Sequence, residues 1–318
     1  QLVTVRAEIT LLQQAKDEVM RTAEQLSMMN DLPETVDIRM EEQRKDANRQ
    51  MNALSLVQFA IQQISVGNRH AALNTLTRAN ALQNDNAVIN YFHGEVLVRE
   101  GEYEQGIVYL EKACHTSDMP DANATRAYAY RMMGDENPEQ SDKFYSLSEN
   151  IYLTLREQHP DLLDITGESV YGGLASLYRN RDMIDKAIKI YEEIEHITPN
   201  SSYPINNLGL LHFEYEGKPF ASREKGKEYF EKARRKANVT LKMEGTDYWR
   251  FFDIITAEIA LEDTSWENIK GHIDNMFDLE PTDDDMSKLV GGIRQLQNSA
   301  KPPEFVSQAL EYIQAQIG

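Results

Sequence analysis

The sequence predicts an all-α protein built from a repeated helical hairpin, and three observations carry that prediction. Only 10 Pro and 16 Gly interrupt 318 residues, while Ala, Leu, Glu, Gln, Lys, Arg and Met, which cost a helix least, recur throughout. Apolar residues return at three- and four-residue intervals, the period of a helix face turned toward a core. The third observation is an internal repeat. When residues 53–86 are laid over 87–120, Gly67 falls on Gly101, Ala72 on Gly106, Leu76 on Leu110 and Ala79 on Ala113.

Composition narrows the function classes. With 41% hydrophobic and 27% charged residues, the chain can bury a sizeable core. No stretch approaches the roughly 18 consecutive apolar residues of a spanning helix, and mean hydropathy is -0.57, so direct membrane insertion is not expected. Lys and Arg total 33 against 52 Asp and Glu, a formal charge of -19. Such a polyanion is repelled by phosphate backbones, which argues against nucleic acid as a partner. The single cysteine, Cys114, excludes an internal disulfide and a multi-thiolate metal centre. A cytoplasmic location is the expectation, with a membrane tether ahead of Gln1 left open.

The first element, residues 1–52, reads as a long helical hairpin. Leu2, Val5, Ile9, Leu12, Lys16, Val19, Ala23 and Leu26 alternate spacings of three and four, a heptad seam interrupted only by Lys16. After a turn at 30–33, Val36, Met40, Ala47, Met51 and Leu54 continue a similar stripe. The hairpin either folds back on the first repeat or pairs two copies of the chain through Leu2, Val5, Ile9, Leu12, Val19 and Leu26. The seam starts without a capping residue and the chain begins with Gln, so the expectation is a helix that continues upstream in a longer protein.

Residues 53–281 divide into about six units: 53–86, 87–119, 120–167, 168–201, 202–249 and 250–281. Each reads as a helix, a turn, a second helix and a polar turn. The eighth position is Ala60, Gly94, Ala127, Ala175, Gly209 and Ala257, small wherever two backbones must approach closely. A 34-residue helical hairpin with this small-residue pattern resembles the tetratricopeptide repeat family. The unit from 120 departs from it, with a turn placed at Gly134 and a long second helix from about Pro138 to Gln158. The unit from 202 carries an insertion around Gly217, Lys218 and Pro219. Residues 282–318 supply two helices that read as a terminal cap, which an α-solenoid needs because an end repeat has an uncovered apolar face.

The search for chemistry returns no nucleotide-binding, zinc-protease or nucleophile-elbow motif. No catalytic residue, metal site or cofactor is expected, and the chain reads as a non-enzyme. The resemblance therefore implies binding in the groove lined by the first helices, with contacts from their second, fifth, ninth and twelfth positions. These fall on Tyr91, Glu95 and Val98; on Tyr128 and Arg131; on Arg179; and on Tyr203, Asn206, Leu210 and Phe213. Because Val57 and Ile61, then Tyr91 and Glu95, stand where the family's carboxylate clamp needs Lys or Arg and Asn, a protein or peptide segment of mixed character is the expected partner.

Charge is also segregated. Gly217 to Lys242 holds nine basic residues against three acidic ones, and Glu262 to Met286 holds nine acidic residues and one Lys. The basic set Lys218, Arg223, Lys225, Lys227, Lys232, Arg234, Arg235 and Lys236 either docks an acidic partner or pairs with the neighbouring repeats. The function that follows is a protein-interaction scaffold. The alternative is a regulatory region of a longer signalling protein.

Overall fold

A computed structural model describes residues 20–21, 34–164, 166–244 and 247–317. The seam residues Leu2, Val5, Ile9, Leu12, Val19 and Leu26 lie outside them, as does the turn at 30–33. The described residues are helical, without a β-strand; one isolated antiparallel bridge joins Leu163 to Ser169. None of the described helices is long and apolar enough to cross a membrane. The chain forms two compact units, one ending at Gly173 and one starting at Leu174.

In the first unit α1 (Glu34–Ser65) pairs with α2 (Arg69–Leu82), α3 (Ala87–Arg99) with α4 (Tyr103–Thr116), and α5 (Pro120–Glu136) with α6 (Ser141–Gln158). The expected boundary after residue 52 falls inside α1, which runs through it unbroken. Local chemistry sets the other helix ends. Gly67 and Gly101 take φ values of 77° and 83°, a left-handed conformation that suits glycine at a tight turn. Asn68 and Asn86 cap α2 and α3 by accepting the amides of Ala71 and Ile89. Pro120 starts α5, where its missing N–H costs nothing.

The first helices α1, α3 and α5 lie side by side. Their small eighth positions, Ala60, Gly94 and Ala127, are buried. The reason is contact distance. A Cβ on Gly94 would sit 2.8 Å from the backbone oxygen of Gly106 and 2.6 Å from Leu110 Cγ. In the third hairpin Ser148 is fully buried and donates to the Ala127 carbonyl at 2.7 Å, which satisfies its hydroxyl inside the crossing.

One expected turn is misplaced. Gly134 is helical and buried, and the chain reverses at a 3-10 turn, Pro138–Gln140. A Cβ on Gly134 would lie 2.6 Å from the Tyr145 ring, so this glycine makes room for an aromatic side chain.

The second unit comprises α7 (Gly172–Asn180), α8 (Ile184–Ile197), α9 (Tyr203–Glu214), α10 (Arg223–Glu244), α11 (Tyr248–Leu261) and α12 (Trp266–Phe277), followed by α13 (Asp283–Gln297) and α14 (Val306–Ile317). Ala175, Gly209 and Ala257 are buried, and Phe230 of α10 stacks directly on Gly209. Ser265 caps α12. Thr282 and Asp285 form a reciprocal capping box at α13. The two C-terminal helices do different jobs. α14 packs on α12 and α13, whereas α13 turns back across α9 and α11. One apolar core, including Phe213, Ile255, Ile269, Leu289, Ile293 and Ile313, joins α9 to α14.

Candidate functional site

The inner row of the first unit, α3 and α5, brings several groove candidates together. Tyr91 and Glu95 stand one turn apart on α3 and face a pocket shared with Arg99, with Asp121 and Thr125 of α5, and with Asp164 and Val170. Arg99 Nε donates to Glu95 Oε1 at 3.0 Å. Its guanidinium also covers one approach to the Tyr128 ring at 5.7 Å, and Arg131 covers another at 5.1 Å. Two cations on one aromatic ring are attracted by its quadrupole, while carboxylates hold each of them. Arg131 bonds Asp135 at 2.7 Å, and Tyr145 donates to the other oxygen of Asp135 at 2.7 Å. Val98 belongs elsewhere. It is buried against Gly106 as part of the α3–α4 crossing and has no surface to offer a ligand.

The outer wall of this pocket is a segment that sequence patterning did not single out, the connection 159–171. Leu163 and Ser169 bridge across it, and Asp164 Oδ1 accepts from the Thr166 amide (2.8 Å), the Thr166 hydroxyl (2.7 Å) and the Glu168 amide (3.1 Å). Gly167 turns the chain at φ 80°, and Tyr171 donates to the His159 carbonyl at 2.5 Å to close the base. Asp164-Ile165-Thr166-Gly167 is a legible turn signal of the Asx type. What it could not reveal is that the turn stands beside α3 and α5. Burial, reinforced by the nearby charge of Asp164, pushes the Asp121 carboxyl above its ordinary range.

In the second unit the groove candidates are mostly covered. Asn206 is fully buried and accepts the Thr256 hydroxyl at 2.8 Å, which ties α9 to α11. Phe213 packs edge-on against Phe230 at 5.2 Å. Leu210 is 2% exposed and faces α13, 3.6 Å from where a Cβ on Gly292 would stand. The expectation of ligand contact at these three positions is thus replaced by packing within the unit. Arg179 and Tyr203 are half-buried: Arg179 places its charge near Glu214, and Tyr203 meets Tyr191 at 6.1 Å.

The basic stretch is largely spent on ties between neighbouring helices. Lys225 bonds Glu192 at 3.0 Å, Lys232 bonds Glu195, and Lys236 donates to the Pro199 carbonyl. Arg234 grips Asp263 through two bonds of 2.6 and 2.7 Å, and its hydrogen bonds hold that carboxyl below the usual range. Arg223 joins Glu216 at 3.3 Å and the Lys301 carbonyl at 2.8 Å. Lys227 adds its charge near Asp263, while Lys218 and Arg235 are exposed. Opposite charges on successive hairpins attract one another here.

The described residues hold no group of three or more His, Cys, Asp or Glu able to bind a metal. Cys114 is half-buried, its Sγ 3.4 Å from Asn123 Oδ1, and burial raises its thiol above the ordinary value.

Hairpins in sequence, small residues at each crossing and an inner row of first helices together define a recognisable architecture. In fold the chain resembles the tetratricopeptide-repeat proteins. A tetratricopeptide repeat protein from Parabacteroides merdae is similar over 95% of this chain and 99% of its own length, with 14% identity and a TM-score of 0.48. A thermophilic tetratricopeptide protein of Thermus thermophilus matches 60% of this chain and 95% of its own at 12% identity, TM-score 0.49. YrrB, described as a tetratricopeptide protein with an unusual peptide-binding site, matches 63% and 91% at 19% identity, TM-score 0.41. No protein-family model and no curated protein matches the sequence.

Proposed function

We propose that this protein is a non-catalytic scaffold that binds a segment of another protein on the inner row of its first unit. The observation that carries the reading is the pocket bounded by Tyr91, Glu95, Asp121 and Asp164, set beside Tyr128 with its two flanking arginines. Aromatic surface with fixed polar groups around it supplies contact area and register, the two requirements of segment recognition. The carboxylates of Asp121 and Asp164 suit a basic side chain of that segment, and Tyr128 suits an apolar or aromatic one. A mixed segment is the partner this lining favours.

The test is site-specific photo-cross-linking in native lysate. A benzophenone amino acid at position 128 is expected to give discrete adducts. The same group at Val108, a 51% exposed residue on α4, is expected to give none. Identical adduct patterns from the two positions remove the inner row as the binding surface.

Self-association through the N-terminal helices belongs to the same proposal. The support is the three- and four-residue spacing of Leu2, Val5, Ile9, Leu12, Val19 and Leu26 in the sequence, the pattern of a helix-pairing seam. Light scattering on chains with and without residues 1–51 is expected to show a mass near twice the monomer only when they are present. A monomeric mass for the longer chain rejects pairing.

A further inference from the structure

The inner row of the second unit is already occupied. α13 crosses α9 and α11, the first helices of two successive hairpins, instead of extending the stack. Its contact face is an amphipathic pattern of Met286, Leu289, Ile293 and Leu296, spaced three, four and three apart and no more than 4% exposed. Gly292 permits the approach: a Cβ there would lie 2.8 Å from Phe252 Cζ. The polar contacts sit at the ends of the helix. Tyr248 donates to Asp285 at 3.0 Å, and Glu214 accepts hydrogen bonds from Asn298 and Gln295. This is a groove-and-helix arrangement in which groove and helix belong to one chain.

Two features make the occupant separable. α13 is joined to the hairpins by the segment 278–282, in which Glu280 takes a left-handed φ of 51°, a conformation that costs a non-glycine residue. Adjacent glycines, Gly291 and Gly292, lie inside the helix and weaken it intrinsically. We infer that the inner face of the second unit is a helix-binding groove that the chain fills with its own α13. The segment from Thr282 onward opens as a unit and exchanges with a partner helix of the same three-four-three apolar spacing that carries a small residue opposite Phe252. The tethered helix competes at high effective concentration, so the partner's apparent affinity falls by the fraction of chains that are open. The inference concerns a different surface from the pocket of the first unit and stands without it.

Hydrogen exchange on the intact chain tests the opening. Amides of α13 and α14 are expected to exchange together, at least about tenfold faster than those of α9 and α11, as a sub-global unit does. Equal protection throughout the second unit overturns the inference. A fluorescent peptide of residues 282–298 tests the groove by anisotropy. It is expected to bind the intact chain and to bind a Gly292→Leu chain about tenfold tighter, because the new side chain meets Phe252 and unseats the resident helix. A peptide carrying Leu289→Asp and Ile293→Asp is expected to bind neither. Equal binding of the two peptides, or no binding to a Gly292→Leu chain that circular dichroism shows to be folded, overturns the inference. If that chain is unfolded, exchange on the native protein decides.

Discussion

The two units receive different guests on equivalent rows. In the first, the ninth position of the inner helix is Glu95, paired with Arg99, and the neighbouring wall is a polar turn held by Asp164. In the second, the ninth position is Leu210, and an apolar helix lies against it. The eighth positions, Gly94 and Gly209, do the same work in both. Hairpin packing is therefore common to the two units, whereas the side chains beside these two crossings differ: Glu95 borders a polar pocket and Leu210 lies under a helix.

The comparison is sharpest where one face is sealed and the other is not. Leu210→Ala removes a fully packed side chain beneath α13 and is expected to cost about 2–5 kcal/mol. Thr125→Ala in the pocket of the first unit is expected to stay within about 0.5 kcal/mol. Urea denaturation of both variants measures the difference, and equal losses would mean that the two faces are alike.

Acid should act on both units. His93, 5% exposed and stacked on Tyr109 at 4.0 Å, and His212, fully buried beside Tyr229, are each pushed down to about 4 by burial, with help from Lys112 and Lys225 respectively. A depressed histidine favours the neutral form in the folded state, so its contribution is fully present above the unfolded value near 6.5 and is lost as pH falls toward about 4. The expected loss is about 2–3 kcal/mol per histidine across that window. His93→Gln and His212→Gln should each flatten the pH dependence of stability, the first in the unit ending at Gly173 and the second in the other. Unit-resolved hydrogen exchange at pH 7.5 and 5 reads both.

A smaller effect separates the two glycine crossings. Gly94→Ala sets a methyl group against a backbone oxygen, whereas Gly209→Ala meets a ring, with its nearest atoms at 2.9 Å. Backbone cannot step aside as a side chain can, so Gly94→Ala is expected to destabilise by about 1–3 kcal/mol and Gly209→Ala by less. Thermal unfolding that ranks them the other way would contradict the stated difference in rigidity. The smallest effect is expected at the surface: Arg234→Gln should cost no more than about 1 kcal/mol despite its two bonds to Asp263, and the cost should shrink in high salt.

Much of this was legible in particular residues. Ala60, Ala127, Ala175 and Ala257 announced tight crossings because few side chains fit there. Asn68, Asn86 and Thr282, which the sequence reading did not use, accept free amides at helix starts. Gly134 misled because glycine serves two purposes, a turn and a close approach, and local sequence does not distinguish them. Asn206 and Phe213 misled for a related reason: helix periodicity places a residue on a face but does not say which neighbour covers it. The pocket wall at Asp164 and Val170 escaped notice because its role depends on residues more than 30 positions away.

The amino-acid order alone determined the helices, their ends and the positions where backbones touch, since propensity, capping and side-chain volume all act within a turn or between adjacent helices. Only tertiary structure decided that α13 lies across α9 and α11 while a polar turn borders α3 and α5. An apolar stripe specifies the kind of surface it must bury, and many surfaces of that kind exist in one chain. Which one it takes is settled by chain length, shape and the competing contacts of the folded protein.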